Sequence, residues 1–231
     1  MKIVNIEATT LDDCWFQCIS AVMEYGRDFK IDYGSYAGQK RKELDYITCY
    51  IKYPGVRPII PTVPPNLGIP NPTDMRYVEE EYLPYLIEDT KKPNEDYTYG
   101  QYIKPQMKKI IERYKNMFRK TGGYRSNQEY ITVSNYLDHL EMKDPPCLRG
   151  IDTRIQDNSL SFFCYFRSWD LFAGFPSNLA GIQLMKEHMS GELGVKDGEM
   201  VVASKGLHLY DHFWELAKIR LGKNNDTKQI S

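Results

Sequence analysis

The chain has 231 residues and a formal net charge of −1, with 26% charged and 42% hydrophobic residues. This length predicts one domain over residues 1–231 with a sizeable buried core. The near-neutral charge argues against a polyanion-binding tail, so nucleic acid is not required as a partner. No apolar run approaches the ~20 residues of a membrane span, and the N-terminus lacks a signal-peptide pattern. We therefore expect no membrane association and a cytoplasmic location.

The first third of the chain predicts packing elements separated by loops. Residues 1–8 alternate as a short edge strand, and a capped helix is expected over residues 10–26. A Gly- and Tyr-rich loop is predicted over 33–42, followed by a strand over 44–53. The proline-rich segment 54–72 predicts an extended loop without secondary structure of its own.

Two helices are predicted in the middle of the chain. Residues 75–89 have helical spacing, which Pro84 interrupts. Residues 103–120 place apolar side chains on one face and Lys or Arg on the other, and Gly122-Gly123 stops this helix. After them the pattern predicts strands, a long helix, another strand and a last helix. Their expected ranges are 147–155, 160–167, 178–191, 198–204 and 211–221, with a polar tail over 222–231.

The cysteines are few and scattered. They are Cys14, Cys18, Cys49, Cys147 and Cys164. An odd number in a chain without an export signal predicts reduced thiols in a cytoplasm. Cys14 and Cys18 are four residues apart, but no second Cys/His pair completes a zinc site, so their spacing favours core packing and we expect no metal.

Four short motifs follow one another in the C-terminal half. They are Asp144-Pro145-Pro146-Cys147-Leu148-Arg149, Phe166-Arg167-Ser168-Trp169-Asp170, Gly174-Phe175-Pro176-Ser177-Asn178 and His208-Leu209-Tyr210. Alone, a cysteine is usually buried and structural, and an arginine at a strand end usually forms a surface salt bridge. In this order and spacing, the motifs resemble the thymidylate synthase family. The sequences of these motifs are most similar to the short archaeal-type branch of that family.

The resemblance implies an α+β fold, in which a large mixed, twisted sheet is covered by helices and two subunits pack sheet to sheet as a homodimer. It implies a transferase that methylates C5 of dUMP. The one-carbon donor and reductant would be 5,10-methylene-tetrahydrofolate or a methanopterin-type analogue. The partners are then a pyrimidine nucleoside monophosphate and a reduced pterin.

The resemblance gives chemical roles to several residues. Cys147 is the expected nucleophile, because a thiolate is suited to adding to C6 of a pyrimidine and so activating C5. Arg167 is the candidate cation beside it. Glu81 is the nearest match to a glutamate that assists proton transfer, although a solvated acidic run over 79–81 is the alternative. Asp170 is implied to contact the pterin ring, and also counts among the catalytic candidates.

Other matching residues are implied to bind the substrates. Arg41, Arg125 and Arg167 are candidates for the phosphate, since a dianion favours several guanidinium groups. His208 and Tyr210 are implied to bind the sugar. The remaining candidates, for the nucleotide or the pterin, are Tyr99, Ser168, Gly174 and Asn178.

Asn178 also has a second reading. In the family this amide pairs with O4 and N3–H of uracil, whereas an aspartate would favour cytosine. Because Asn178 stands at the start of a predicted helix, a helix-capping role is the alternative.

Three features depart from the family pattern. Asn127-Gln128 stands where paired arginines are usual, Leu148 stands where a histidine is usual, and the chain ends in Lys-Gln-Ile-Ser rather than an apolar tail. They leave open a pyrimidine nucleotide 5-hydroxymethylase. Its reaction is the same up to the last step, in which water rather than hydride attacks the exocyclic methylene group. They also leave open a nucleotide-binding protein without turnover.

Overall fold

The structure, a computed structural model, describes residues 1–32, 36–93 and 95–223. The helices are α1 (Leu11–Tyr25), α2 (Met75–Tyr77), α3 (Leu83–Ile87), α4 (Gly100–Thr121), α5 (Gly174–Leu193) and α6 (Trp214–Arg220). The strands are β1 (Ile3–Ala8), β2 (Arg27–Lys30), β3 (Lys40–Glu43), β4 (Tyr46–Ile51), β5 (Tyr130–Thr132), β6 (Leu148–Gln156), β7 (Ser159–Phe166), β8 (Trp169–Asp170), β9 (Lys196–Ser204) and β10 (Leu207–Tyr210). This mixture of helices and sheets is the predicted α+β class. None of the helices described is long and apolar enough to cross a membrane.

The strands form two sheets rather than one. The larger sheet has the order β1-β4-β9-β7-β6-β5, and the smaller has the order β2-β3-β10-β8. The chain passes between them at three two-residue connections, 44–45, 167–168 and 205–206. Main-chain hydrogen bonds join these connections. Gly206 N–H donates to Leu44 O, and Trp169 N–H, directly after the second connection, donates to Gly206 O. The three crossings therefore lie side by side.

One face of the larger sheet carries the core. Side chains alternate along its strands between buried and accessible positions, as a half-covered sheet requires. Helix α5 packs on β7 and β9 and buries most of its length, and α1 packs on β1 and β4. The other face includes the partly exposed rings of Tyr130 and Phe163.

The predicted boundaries of α1 and the predicted end of α4 agree with the structure to within one residue. Thr10 accepts a hydrogen bond from Asp13 N–H at 3.2 Å, which confirms the predicted N-cap of α1. Gly122 follows α4 with φ +70°, the left-handed conformation in which glycine avoids Cβ strain. Helix α4 begins three residues before its predicted start, because the apolar periodicity used for the prediction begins only at Ile103.

The predicted helix over 75–89 is helical but irregular. Between α2 and α3 the segment Val78–Tyr82 is π-helical, and the helical run ends at Ile87. Pro84 follows the π-helical turn inside this helical run, where its missing N–H removes one main-chain hydrogen bond. The π-helical turn brings Tyr82 against α5, where a Cβ on Gly181 would lie 2.6 Å from the Tyr82 ring. Glycine is therefore required at this crossing.

Several local predictions were wrong. Lys40, Arg41 and Lys42 belong to β3 rather than to a loop, because this charged strand is hydrogen-bonded on both sides, by β2 and β10. Residues 33–35 of that predicted loop lie outside the described residues, as does most of the predicted polar tail. Strands β5 and β8 were not predicted, since two or three residues give no measurable periodicity. The final predicted helix begins as a short 3₁₀ turn, Asp211–Phe213.

The start of α5 is also corrected. This helix begins at Gly174, so Asn178 lies inside it and the capping reading of Asn178 is wrong. Pro176 is tolerated because it lies in the first turn.

Gly100 and Gly191 provide a matched pair for testing backbone packing. A Cβ on Gly100 would lie 2.0 Å from the main-chain oxygen of Glu88, whereas nothing lies within 4 Å of a Cβ on Gly191. We expect Gly100→Ala to reduce the free energy of unfolding by on the order of 1–3 kcal/mol, through overpacking against rigid backbone. Gly191→Ala should raise it by up to ~1 kcal/mol, since alanine favours helix. Urea unfolding of both variants measures the difference, and equal stabilities would contradict the packing described.

Candidate active site

Cys147 lies in a cleft of about 880 Å³ beside the three crossings between the sheets. Strands β3, β8 and β10 of the smaller sheet contribute to its walls. Seven of the predicted site residues line this one cleft: Arg41, Cys147, Arg167, Ser168, Asp170, His208 and Tyr210. They come from segments more than a hundred residues apart, so the fold brings them together.

Arg167 lies in the connection that follows β7 and contacts the segment that ends at Cys147. Its main-chain N–H donates to Cys147 O at 2.9 Å. Its guanidinium Nε donates to Pro145 O and Pro146 O, at 3.2 Å each. Its Nη2 also bonds Pro145 O and pairs with Asp144 Oδ1 at 3.0 Å. Arg167 therefore fixes the segment that ends at Cys147.

The Cys147 thiol is partly buried, and its electrostatic environment is mixed. Burial raises its pKa, whereas the positive charges of Arg167 and Arg149 lower it, and the negative charge of Asp144 raises it. Burial is the largest of these effects, so the pKa lies above the ordinary value and the neutral thiol predominates near pH 7. Arg167 is nevertheless placed to stabilise the thiolate once it forms.

Tyr99 lies under the start of β6. Its hydroxyl accepts a hydrogen bond from Leu148 N–H at 3.3 Å, and burial raises its pKa to about 12. Its ring packs against Tyr85 and Tyr97, with centroids 5.3 Å and 5.5 Å away. Tyr99 thus supports the backbone next to Cys147 and does not line the cleft itself.

His208 is a neutral imidazole with a defined tautomer. Its Nδ1 lies 2.9 Å from Gly206 O, and because a carbonyl can only accept, the proton is on Nδ1. Burial lowers its pKa, and the positive charge of Arg41 lowers it further. Nε2 is therefore an acceptor, and it is buried without a partner among the described residues.

Arg41 contributes an unpaired donor to the same cleft. Its Nη2 pairs with Glu43 Oε2 at 2.7 Å, but its Nε is buried and has no partner among the described residues. Unsatisfied buried polar atoms cost about 1–3 kcal/mol each and are uncommon in folded proteins. Arg41 and His208 thus leave one donor and one acceptor unsatisfied in a single cleft.

Asp170 connects β8 to the start of α5. Its Oδ1 accepts from Phe172 N–H and its Oδ2 from Gly174 N–H, both at 3.1 Å. A Cβ on Gly174 would lie 3.3 Å from the Cβ of Asp170, so glycine permits this close approach. Asp170 therefore stabilises the helix start, and each carboxylate oxygen keeps a further lone pair for a ligand.

Asn178 lines a neighbouring cleft of about 540 Å³, together with Tyr77, Tyr82 and Gly174. Trp169 Nε1 donates to Asn178 Oδ1 at 2.8 Å, which assigns the orientation of the amide. The Trp169 ring is itself stacked between other aromatic rings, 4.1 Å from Phe166 and 4.3 Å from Phe175. Trp169 was missed as a functional residue, since only the fold shows its contact with residue 178.

Glu81 and Arg125, like Tyr99, Gly174 and Asn178, do not line the Cys147 cleft. Glu81 is exposed, pairs with Lys92 and lines a cleft of about 420 Å³ that shares Asp144 with the Cys147 cleft. Arg125 is exposed in a cleft of about 670 Å³ that also includes Arg154. Within one protomer, Arg125 is therefore not part of the Cys147 cleft.

Comparison with known proteins identifies the class. The family model for thymidylate synthase matches residues 90–230, more than half of the chain. A protein of Methanosarcina barkeri, provisionally named as a thymidylate synthase, is 25% identical over 216 residues, which cover 92% of each chain. A similarly named protein of Methanosarcina acetivorans is 25% identical over 218 residues, again 92% of each chain.

A bacterial relative matches a shorter segment. The thymidylate synthase of Staphylococcus haemolyticus is 30% identical over 120 residues, which cover 52% of this chain and 36% of the relative. The matched family segment contains the four motifs and most of the Cys147 cleft. The chain belongs to the thymidylate synthase family.

The opposing effects of Arg167 and Asp144 on the pKa of the Cys147 thiol can be tested by alkylation. Iodoacetamide reacts with the thiolate, so the pH at which the rate is half-maximal reports the thiol pKa. Arg167→Met should move this midpoint to higher pH, because it removes the larger cationic effect. Asp144→Asn should move it to lower pH, because it removes a nearby negative charge. Rates would be measured by mass spectrometry of the Cys147 peptide, and coincident pH profiles for both variants would contradict this assignment.

Proposed function

We propose that this protein methylates C5 of dUMP, with a methylene-tetrahydropterin as one-carbon donor. The observation that carries the proposal is the meeting of Cys147, Arg41, Arg167, Asp170 and His208 at one cleft. Membership of the thymidylate synthase family supports it. When bound, the pterin supplies the one-carbon unit and the hydride that together give the methyl group.

Cys147 is the proposed nucleophile. Its thiolate adds to C6 of the pyrimidine, and C5 then becomes nucleophilic. Since burial keeps the resting thiol protonated, the step depends on Arg167, whose charge favours the thiolate. Placing both substrates in adjoining clefts can supply roughly 7–11 kcal/mol of the barrier reduction through proximity.

The nucleotide would be bound through its phosphate and sugar. Arg167 and Arg41 supply guanidinium donors, and Ser168 adds a hydroxyl. The unpaired Nε2 of His208 is an acceptor suited to a sugar hydroxyl, with Tyr210 beside it at a ring-centroid distance of 5.0 Å. A phosphorylated sugar thus offers the acceptor and the donor that Arg41 and His208 lack.

Asn178 is proposed to read the base. Because Trp169 occupies one lone pair of Oδ1, the Nδ2 donors are left to face O4 of uracil, and the second lone pair of Oδ1 can accept from N3–H. Cytosine would present an amino group to those same donors. The Trp169 contact therefore favours uracil.

The pterin is proposed to lie near Asp170. Its free lone pairs suit the paired N–H donors of a pterin ring, and the adjoining 540 Å³ cleft has the Tyr77 and Tyr82 side chains in its lining. Gly174 lies between Asp170 and that cleft. The pterin would be of either the folate or the methanopterin type. Glu81 lines the 420 Å³ cleft that shares Asp144 with the Cys147 cleft. Once its ion pair with Lys92 opens, its carboxylate would join the proton-transfer network.

A homodimer is part of the proposal. The face of the larger sheet opposite the helices carries partly exposed aromatic side chains, among them Tyr130 and Phe163, which suits packing against a second copy. Arg125 would then reach the partner's phosphate rather than its own. Light scattering should give twice the 27.0 kDa chain mass, and a monomer at micromolar concentration would contradict this part. The free thiols fit a cytoplasmic location.

The alternative product is hydroxymethyl. Leu148 replaces a histidine that belongs to the family's water network, and it is fully buried. A changed water network at C5 could favour attack of water over hydride transfer. The same protein and substrates serve both reactions, so the product decides between them.

The test is tritium release from C5-tritiated dUMP, with dCMP in parallel and with each pterin type. We expect release from dUMP, and a methyl group by mass analysis of the product. Cys147→Ser should abolish release and still bind nucleotide, since only the nucleophile is lost. Release at the parent rate from Cys147→Ser would overturn the mechanism, and nucleotide binding without release by the parent would favour a non-catalytic protein.

Asn178→Asp extends the same assay to base selectivity. The aspartate can accept a hydrogen bond from the amino group of cytosine. The dUMP:dCMP ratio of kcat/KM should therefore fall by on the order of 100-fold, which corresponds to the loss of one buried polar pair. Trp169→Phe keeps the ring stack and removes the donor to residue 178, so it should give a smaller fall in the same direction. An unchanged ratio in Asn178→Asp would show that this amide does not read the base.

A further inference from the structure

Three cysteines meet in the core away from the Cys147 cleft. Cys14 and Cys18 lie one turn apart on the buried face of α1, and Cys49 lies on the buried side of β4, which packs against α1. All three sulfur atoms lie within 4.8 Å of one another, and the sulfurs of Cys18 and Cys49 are 3.6 Å apart. Each of the three residues is completely buried. The sequence showed only the first pair.

The spacing of the sulfurs suits a three-coordinate ion. A metal at ~2.3 Å from each of three sulfurs in one plane requires sulfur–sulfur distances of about 4 Å. The observed separations, 3.6 Å for one pair and no more than 4.8 Å for the others, are close to that value. Small rotations of the side chains therefore bring the three sulfurs to binding distance without moving α1 from β4.

The number of ligands and their burial favour a monovalent ion. Among the described residues the group offers three sulfur atoms and no other ligand. A monovalent ion that displaces one thiol proton leaves this fully buried group without net charge, whereas an uncompensated charge would be costly there.

We propose that Cys14, Cys18 and Cys49 form a closed three-sulfur site for a soft monovalent metal ion, for which Cu(I) is the matching chemistry. Thiolate sulfur selects soft ions over magnesium or calcium. Zinc and iron–sulfur clusters take four ligands, and among the described residues no fourth thiol, imidazole or carboxylate joins this group. Full burial also excludes water as the missing ligand. One Cu(I) displaces one thiol proton, which leaves to solvent, so the group stays uncharged and no oxidation state changes.

The site would act on stability rather than on the proposed reaction. None of the three cysteines lines the Cys147 cleft. An ion bound between α1 and β4 ties the first helix to the larger sheet, and metal that binds only the folded state stabilises it. Because the site is closed, the ion must enter during folding or when α1 separates from β4.

The test uses the full chain carrying Cys147→Ser, so that the cleft thiol does not compete. The protein is refolded without oxygen, in a thiol-free reductant with Cu(I), and then dialysed against the Cu(I) chelator bicinchoninate. We expect about one retained copper per chain, a thiolate-to-copper absorption band, and three sulfurs at ~2.3 Å by X-ray absorption. The same refolding with Zn²⁺ should leave no metal after dialysis against a zinc chelator.

Two variants give the site its control. Cys49→Ala should reduce retained copper at least tenfold, whereas Cys164→Ala, which removes another fully enclosed thiol from β7, should retain the parent amount. Circular dichroism checks that both fold. If Cys49→Ala does not fold, Cys18→Ala replaces it, and the X-ray absorption of the parent decides independently.

Three results would overturn the proposal. The parent could retain no more copper than Cys49→Ala, copper could be found with fewer than three sulfur ligands, or Zn²⁺ could be retained in preference. In each case the three cysteines are core side chains that pack through their thiols. The activity of the Cys147 cleft is not used as a readout, so failure of the proposed function is distinguishable from failure of this site.

Discussion

The hydrogen bonds that Arg167 makes to the segment before Cys147 are the constraint on which the cleft depends. Pro145 and Pro146 have no main-chain N–H, so this segment cannot be fixed by donating to a strand. Only its carbonyl oxygens are available, and the Arg167 side chain donates to both of them, while its main chain donates to Cys147 O. A residue with fewer donors could not hold two carbonyls and still carry a charge next to the thiol.

The same arrangement has opposing effects on the pKa of the Cys147 thiol. Burial makes Cys147 a poor thiolate at rest, and the charge of Arg167 only partly offsets it. The guanidinium is also bonded to Asp144, which is mostly exposed and therefore easily displaced. An anionic ligand that replaced Asp144 at Arg167 would put its own negative charge in place of the carboxylate, so the thiol pKa depends on what occupies the cleft. Reactivity of Cys147 and occupation of the cleft are therefore physically coupled.

The sequence predicted the parts of the fold that have long periodic patterns or strong stop signals. The sequence also singled out Cys147, Arg167, Asp170 and His208 through the family resemblance, and the structure brings these four residues to one cleft. It could not predict β3, whose Lys and Arg residues are poor strand formers and are held in place by strands on both sides. The division into two sheets likewise depends on three short crossings distant in sequence, and no local pattern reports their proximity.

The cysteines show most clearly why residue type alone does not define a site. Cys147 and Cys49 are both thiols on or next to strands of the larger sheet, but their neighbours differ. Arg167 lies next to Cys147 in a cleft that a substrate can enter, so its thiolate can be both stabilised and used. The neighbours of the Cys49 sulfur are two other thiols, in a place that no substrate can enter. Three buried sulfurs that face one another offer the ligands that a soft metal ion prefers, which is why the same functional group points to nucleophilic chemistry in one place and to metal binding in the other.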